Sequence, residues 1–282
     1  MTSGDVVRKL LGQEIRNVLK FYALARRNDA EGVHQLRVSV RRIRSDLLVV
    51  RPVLKKKFTD AMDHELRWTS ALLGRQRDLD VFTALMSSLG YPLDNGALFQ
   101  TWQRREKNAR HDVRKFLNSG RYRRLLLLWT NATLSPPFTS RENGDAREEL
   151  WPQIHSTWTT LMNYVDDLGS APNNADLHRL RILVKKSRYG AEIATCFDDG
   201  AVADISSALG EAQRTLGHYH DGVMALSQLD HLHAAIAANG CSIVRSEQSK
   251  LMARDLMLHL DEHRQQWRVP VQRARSLIEA SA

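Results

Sequence analysis

Two stretches of the sequence repeat one pattern of cationic side chains at helical spacing. His34 and His178 are each followed by Arg or Lys at steps of three, four and three residues. An α-helix turns about 100° per residue, so these steps place the side chains on one helix face. The first row is His34, Arg37, Arg41 and Arg44, and the second row is His178, Arg181, Lys185 and Arg188.

These residue types indicate a ligand that carries phosphate groups. A planar guanidinium donates two parallel hydrogen bonds to phosphate oxygens, lysine supplies a point charge, and histidine supplies a pH-sensitive donor. Like charges stacked along a helix repel by a few tenths of a kcal/mol per pair, so the spacing is unfavourable without an anion. A solvated basic face is the usual meaning of one such row, but its repetition favours a binding surface.

Further cations are candidate phosphate contacts. Two of them flank the rows, and Arg254 is the counterpart of Arg110 in the other half of the chain. The additional candidates are Arg42, Lys186, Arg110, Arg114 and Arg254. Arg77 and Asp78 are instead expected to form a structural ion pair, at a bend of the helix near Gly74.

The elements that position these residues are predicted to be helices. Apolar residues recur at three- and four-residue steps, only 7 prolines interrupt the chain, and convincing two-residue alternation is absent. The expected helices span residues 5–27, 31–51, 59–89, 98–118 and 121–133 in the first half. In the second half they span residues 148–168, 177–197, 202–239, 246–267 and 270–280.

The two sets of helices match each other at a shift of about 144 positions, which indicates an internal duplication. A second shared segment, residues 72–78 and 215–221, follows each row. We therefore expect an all-α fold of two antiparallel helical bundles related by a pseudo-two-fold axis. Residues 1–134 form the first bundle, 135–147 a linker with two prolines, and 148–282 the second bundle.

Charge is distributed unevenly between these halves. The 282 residues carry a net charge of +9, and the sequence pI is about 9.8. Residues 1–140 hold 26 Lys+Arg against 13 Asp+Glu, whereas residues 141–282 hold 15 against 19. A polyanion such as nucleic acid, anionic lipid or a phosphate polymer is the expected partner class.

The sequence resembles the CHAD domain family of histidine-containing α-helical domains. The resemblance covers roughly residues 5–280. It is carried by residues 33–44, 73–74 and 77–81 in the first half, and by residues 177–181, 185–189, 216–217 and 221 in the second. Two departures from the family pattern are Ser187, at a position that is more usually apolar, and the histidines at 218 and 220.

The resemblance implies two four-helix bundles around a basic central groove that binds inorganic polyphosphate. It also implies association with polyphosphate granules and no catalysis by the module itself. On this basis we expect a cytoplasmic protein at polyphosphate granules, with no cofactor. The oligomeric state is left open by the sequence.

Two other function classes stay open as alternatives. His178, His218, His220 and Asp221 could hold a divalent metal in a phosphohydrolase, but His218 and His220 do not share a helix face. No metal site is therefore predicted. Nucleic-acid binding is less favoured because aromatic stacking residues are not interleaved with the cations.

Neither a membrane span nor a disulfide framework is expected. The most apolar run, residues 125–129, is much shorter than the roughly 20 residues needed to cross a bilayer. Cys196 and Cys241 each occur alone in an apolar helical stretch, which indicates reduced, buried thiols.

Overall fold

A computed structural model describes residues 1–91, 96–198, 200, 202–238 and 247–281. These residues form ten α-helices and two short 3₁₀ helices. The helices of the first half are α1 (Ser3–Ala25), α2 (Ala30–Val49), α3 (Lys56–Ser88), α4 (Gly96–Leu117) and α5 (Gly120–Leu134). Those of the second half are α6 (Ala146–Asp167), α7 (Asn174–Ala194), α8 (Val202–Ala238), α9 (Glu247–His263) and α10 (Arg268–Ala280).

Each predicted helix is present, and its observed ends differ from the predicted ones by at most a few residues. The largest difference is in α9, which ends at His263 rather than at 267 because a turn follows and Trp267 then begins α10 as its N-cap. Residues 239 and 246, the predicted ends of two helices, lie outside the described residues, as does Cys241. The described cysteine, Cys196, is a free thiol that is half-buried against the core.

Side-chain caps fix where the helices that bear the rows begin. The Asp29 carboxylate accepts a hydrogen bond from the Gly32 amide at the start of α2. At the start of α7, Asn173 and Asp176 cap each other's backbone amides in a capping box. These bonds satisfy amides that have no partner within the helix, and they set the register of each row.

The apolar core joins the two halves of the chain. Its larger cluster contains residues of α1 to α8 and of α10. A smaller cluster packs Phe82 and Trp102 of the first half against Leu229 and Leu256 of the second. Both clusters draw on both halves, so burial of apolar surface holds the halves together.

The segment between the halves is tied to the first half by backbone hydrogen bonds. The Lys55 amide donates to Pro137 O, and the Ser3 amide donates to Gly144 O. A 3₁₀ helix, Ser140–Asn143, lies between these two points. The division of the chain into two units at residues 134 and 148 stays a prediction.

The observed architecture confirms the all-α, helical-bundle prediction. The described residues contain no β-strand and only two isolated β-bridges. Both halves contain five helices in the same order, while the duplication and its pseudo-two-fold axis stay predictions. No described helix combines the length and apolar character that a bilayer crossing requires.

Candidate functional site

The two cationic rows meet because α2 packs against α7. Val33, Leu36 and Val40 are buried on α2, and Leu180 and Val184 are buried on α7. Burial of these apolar side chains leaves each row on an adjoining face of its helix. Since α3 also packs against α8, the segments that follow the rows are brought to the same region.

Five cations from both halves form one group, the central cation cluster. It consists of Arg37, Arg41, Arg77, Arg181 and Lys185. The charge of Arg181 acts on Arg37, and the charge of Arg41 acts on Arg181. Lys185 is repelled by Arg181, Arg41 and Arg37. The middle residues of the two predicted rows, Arg37 and Arg41 on α2 and Arg181 and Lys185 on α7, therefore lie in one group.

The central cation cluster is electrostatically strained in the free protein. Burial, followed by the charges of Arg181 and Arg41, lowers the pKa of Lys185 to about 6. Burial and the neighbouring Arg41 lower the pKa of Arg37 to about 10, and burial also lowers the pKa of Arg41 and Arg181. A bound anion would restore the charged forms that burial and repulsion disfavour.

Three guanidinium groups of the cluster also offer unused hydrogen-bond donors. Among the described residues, none accepts a hydrogen bond from the buried Nε of Arg37, Arg41 or Arg181. An unsatisfied buried donor costs about 1–3 kcal/mol, more when it is charged. The side chains are nevertheless half-buried rather than enclosed, so a ligand can reach them. Donors of this kind fit the oxygen atoms of an anion.

Two carboxylates lie among these cations. Asp78 on α3 is attracted mainly by Arg37, and Asp221 on α8 is attracted mainly by Arg181. Burial raises the pKa of both carboxyl groups, and their charges repel each other. Each half thus contributes one carboxylate near its own row arginine, and two carboxylates are too few to neutralise the five cations of the cluster.

The histidines lie at the edge of the central cation cluster. Burial and then Arg77 lower the pKa of His34, and partial burial and then Arg181 lower the pKa of the largely exposed His178. The His220 ring centroid is 4.9 Å from that of His178, and burial beside Arg181 lowers its pKa to about 3. The nearby charges of Arg181 and Lys185 would repel a divalent cation from this histidine pair.

Arg42 lies in a separate ion-pair network rather than in the cluster. Its guanidinium contacts Glu14 at 3.3 Å and Glu192 at 2.8 Å. Asp46 is buried beside it, and burial raises the pKa of Asp46 well above its usual value. The network links α1, α2 and α7, so Arg42 joins the two halves of the protein.

The last residue of each row is also held by a carboxylate. Arg44 Nε donates to Asp63 at 3.1 Å. Arg188 pairs with Glu192 and donates through Nε to Gln213 at 3.0 Å. These two arginines each form an ion pair with an acidic side chain, which partly neutralises their charge toward a ligand.

The remaining candidates are not brought into the cluster. Arg110 pairs with Glu106, and Arg254 pairs with the adjacent Asp255. Arg110 and Arg114 line a recess of about 700 Å³ on α4 that no cluster residue lines. Lys186 is exposed beside the second row. These four positions stay predictions as polyphosphate contacts.

Arg77 is the cluster member that the sequence pattern did not indicate as a phosphate contact. The expected ion pair between Arg77 and Asp78 is not formed in the described part of the chain, where Asp78 is attracted more strongly by Arg37 than by Arg77. The expected bend near Gly74 does not interrupt α3, which continues to Ser88. The usable signal was the shared segment, in which Arg77 corresponds to His220.

The sequence of this chain matches the model of one known family. A family model described as the CHAD domain matches residues 9–230, which include both rows and both shared segments. The chain belongs to the CHAD domain family. The sequence-based resemblance is thereby confirmed.

Two curated proteins of Mycobacterium tuberculosis match this CHAD domain. They are "Uncharacterized protein MT2285" of strain CDC 1551 / Oshkosh and "Uncharacterized protein Rv2226" of strain ATCC 25618 / H37Rv. Each is 26% identical over 259 residues, which cover 84% of this chain and 47% of the relative. The chain thus spans about half the length of the curated relatives it matches.

Solved structures share the fold of this CHAD domain. The crystal structure of the CHAD domain from the plant Ricinus communis matches with a TM-score of 0.74 at 24% identity, covering 95% of this chain and 92% of that one. PptA from Streptomyces chartreusis matches with a TM-score of 0.72 at 18% identity, covering 96% and 100%. At these low identities the likeness establishes the fold alone.

Proposed function

We propose that this CHAD domain binds inorganic polyphosphate at the central cation cluster, without performing chemistry on it. The observation that carries the proposal is that Arg37, Arg41 and Arg181 come together from two halves with buried Nε donors that no described residue uses. The family supports a polyphosphate-related function. A polymer of phosphates would supply several acceptor oxygens at once, which matches several adjacent donors.

The length of the site favours a polymer over a single phosphate. The first row, from His34 to Arg44, covers about 15 Å at 1.5 Å per residue. Orthophosphate would reach only two or three of the donors along this length. A chain of phosphates could contact both rows, since Arg41 and Arg181 lie close enough to repel each other.

The contents of the site also favour binding over catalysis. His220, the nearest histidine to His178, has a pKa of about 3, so it would be a weak base at neutral pH. The cluster otherwise presents arginines and one lysine, which hold and neutralise phosphate charge. Association with polyphosphate granules in the cytoplasm follows from this proposal as its cellular setting.

The proposal predicts a steep dependence of affinity on salt. Neutralising about six to eight phosphates would give a log–log slope of roughly −4 to −6, taking about −0.7 per contact from single-stranded nucleic acid. The measurement is a titration of the chain with long-chain polyphosphate at several salt concentrations. A parallel titration uses single-stranded DNA with the same number of charges.

We expect polyphosphate to bind more tightly than the DNA, since the cluster offers phosphate donors and no aromatic stacking surface. Equal affinities would instead identify a general polyanion binder. A slope near zero would contradict electrostatic binding at the cluster.

The proposal also predicts that polyphosphate binding takes up protons. Lys185 has a pKa of about 6 in the free chain, and adjacent phosphates would raise that pKa in the complex. The contribution of the ammonium form is therefore full below about pH 6 and is lost as the pH rises through the pKa of the complex. We expect affinity about tenfold higher near pH 6 than near pH 8.

The matched variants are Lys185→Met and Lys9→Met, because Lys9 is an exposed lysine on α1. Titrations at both pH values should show a reduced pH dependence only for Lys185→Met. An unchanged pH dependence in Lys185→Met would refute the assignment of the proton to this amine.

A further inference from the structure

Histidine side chains converge at a second place, where α9 crosses α8. His259 and His263 are one turn apart on α9, so both project from the same face. Glu262 lies beside them, and one ligand atom from each of these three residues lies within 4.8 Å of the others. Both histidines are half-buried, while the glutamate is exposed.

A glycine on α8 allows this close approach of α9. A Cβ at Gly222 would come within 2.8 Å of Leu260 Cδ2 and 3.1 Å of His259 Cδ2. The missing side chain therefore places His259 directly against α8. His218 lies one turn before Gly222 on the same side of α8, and its ring centroid is 5.4 Å from that of His263.

The hydrogen bonding of His263 prepares its ring to coordinate a metal. Its Nδ1 lies 2.8 Å from the backbone oxygen of His259, which can only accept. Nδ1 must therefore carry the proton, and in the neutral ring Nε2 has a free lone pair. Metal-binding histidines typically donate their other ring N–H to a carbonyl or carboxylate in this way.

We propose that His259, Glu262 and His263, with His218 as the fourth ligand, bind a divalent transition-metal ion of the zinc class. Imidazole nitrogens suit zinc, copper and nickel, whereas magnesium and calcium prefer oxygen ligands. Zinc–nitrogen distances of about 2.0–2.1 Å require neighbouring ligand atoms about 3.3 Å apart, which small side-chain rotations would bring about. Four protein ligands would make a closed, structural site rather than a catalytic one.

This site is separate from the central cation cluster. His218 and His220 lie on different sides of α8, with His220 beside His178 and His218 beside His263. The ion would fasten α9 to the part of α8 that also carries Asp221. Metal binding can thus be tested without polyphosphate, and a failure there leaves polyphosphate binding by the cluster unaffected.

The test is a calorimetric titration of the full chain, freed of metal by dialysis against a chelator, with ZnCl₂ in the absence of polyphosphate. We expect saturable binding of one ion per chain that a large excess of Mg²⁺ does not displace. Cobalt(II) should give the visible absorption of a tetrahedral site with nitrogen ligands. A thermal melt should show that zinc stabilises the chain.

The variants His259→Ala and His263→Ala should each weaken zinc binding at least about tenfold and abolish the cobalt spectrum. The matched control is His231→Ala, since His231 is an exposed histidine farther along α8. Its zinc affinity should equal that of the natural chain. Circular dichroism checks that each variant keeps its helicity. Because the His218 side chain is exposed in the free chain, His218→Gln should alter the cobalt spectrum without affecting the fold.

Two results would overturn the proposal. One is a lack of saturable zinc binding by the folded natural chain. The other is equal zinc affinity in the natural chain and in folded His259→Ala and His263→Ala variants, which would place the ion elsewhere.

Discussion

Replacing Arg37 and Arg41 together by glutamate should weaken binding of long-chain polyphosphate at least about a hundredfold. Each guanidinium offers charge-assisted hydrogen bonds worth about 1.5–3 kcal/mol, and 1.4 kcal/mol is a tenfold change in affinity. The new carboxylates would also repel phosphate. The measurement is a titration with short and long polymer at one salt concentration.

The same loss is expected for Arg181→Glu combined with Lys185→Glu in the other half. Arg181 and Lys185 share one cluster with Arg37 and Arg41, so neither half should retain a complete site. The matched control is Arg123→Glu with Arg124→Glu. It makes the same change in net charge as the Arg37 and Arg41 pair, at exposed positions of α5.

The control separates the site from the overall charge of the protein. It should lower affinity only through the weaker general field, by much less than either cluster pair. Helicity and thermal unfolding are compared first in all three proteins. Undiminished binding of long polymer by both double variants of the cluster would refute the shared site. If the double variants lose no more affinity than the control, the loss is a general effect of net charge.

Arg42→Met should affect stability more than binding, with a loss of about 2–3 kcal/mol in the free energy of unfolding. Removing one partner of a buried ion pair typically costs about 3–5 kcal/mol, and we lower this figure because the Arg42 side chain is 38% exposed. The Glu14 side chain is only 3% exposed, so without Arg42 its charge would be buried and unpaired.

The loss from Arg42→Met should be larger at neutral pH than near pH 5. Burial already raises the pKa values of Glu14 and Asp46, and without the arginine these pKa values would rise further. Protonation of the two carboxylates at low pH would then remove the unpaired charges. Denaturant unfolding at both pH values measures this difference. Arg44→Met is the matched control, since Arg44 and Asp63 are each 32% exposed and their pair contributes below about 1 kcal/mol.

Equal losses of stability in Arg42→Met and Arg44→Met would contradict the structural role of Arg42. If folded Arg42→Met bound polyphosphate as weakly as the double variant of Arg37 and Arg41, Arg42 would instead be a binding residue.

Helical periodicity was sufficient to predict the helices and the faces of α2 and α7. Val33, Leu36 and Val40 recur at intervals that only a helix places on one side, and all three are buried. The rotation of about 100° per residue likewise predicted that the residues of each row share a helix face. These are properties of one helix at a time, so local sequence determines them.

Whether a cation in or beside the rows faces the cluster or forms an ion pair depends on residues that are distant in sequence. Arg41 and Arg42 are adjacent, yet one faces the cluster and the other pairs with Glu14 of α1 and Glu192 of α7. Tertiary packing brings those partners to Arg42, and a local sequence pattern does not predict which helices pack together. Arg77 was missed for the same reason, because its position in the cluster depends on the packing of α3 beside α2.

The shared core has a consequence for folding during synthesis. The larger cluster needs Leu180, Ile205 and Leu209 as well as residues of α1 and α2. When the ribosome has completed α5, those later residues do not yet exist. At about 5–20 residues per second, the wait for α8 is on the order of 10 s. During that time the α2 surface that will meet α7 stays uncovered, with Arg37 and Arg41 beside it. The positive charge of this first half opposes aggregation until α7 docks.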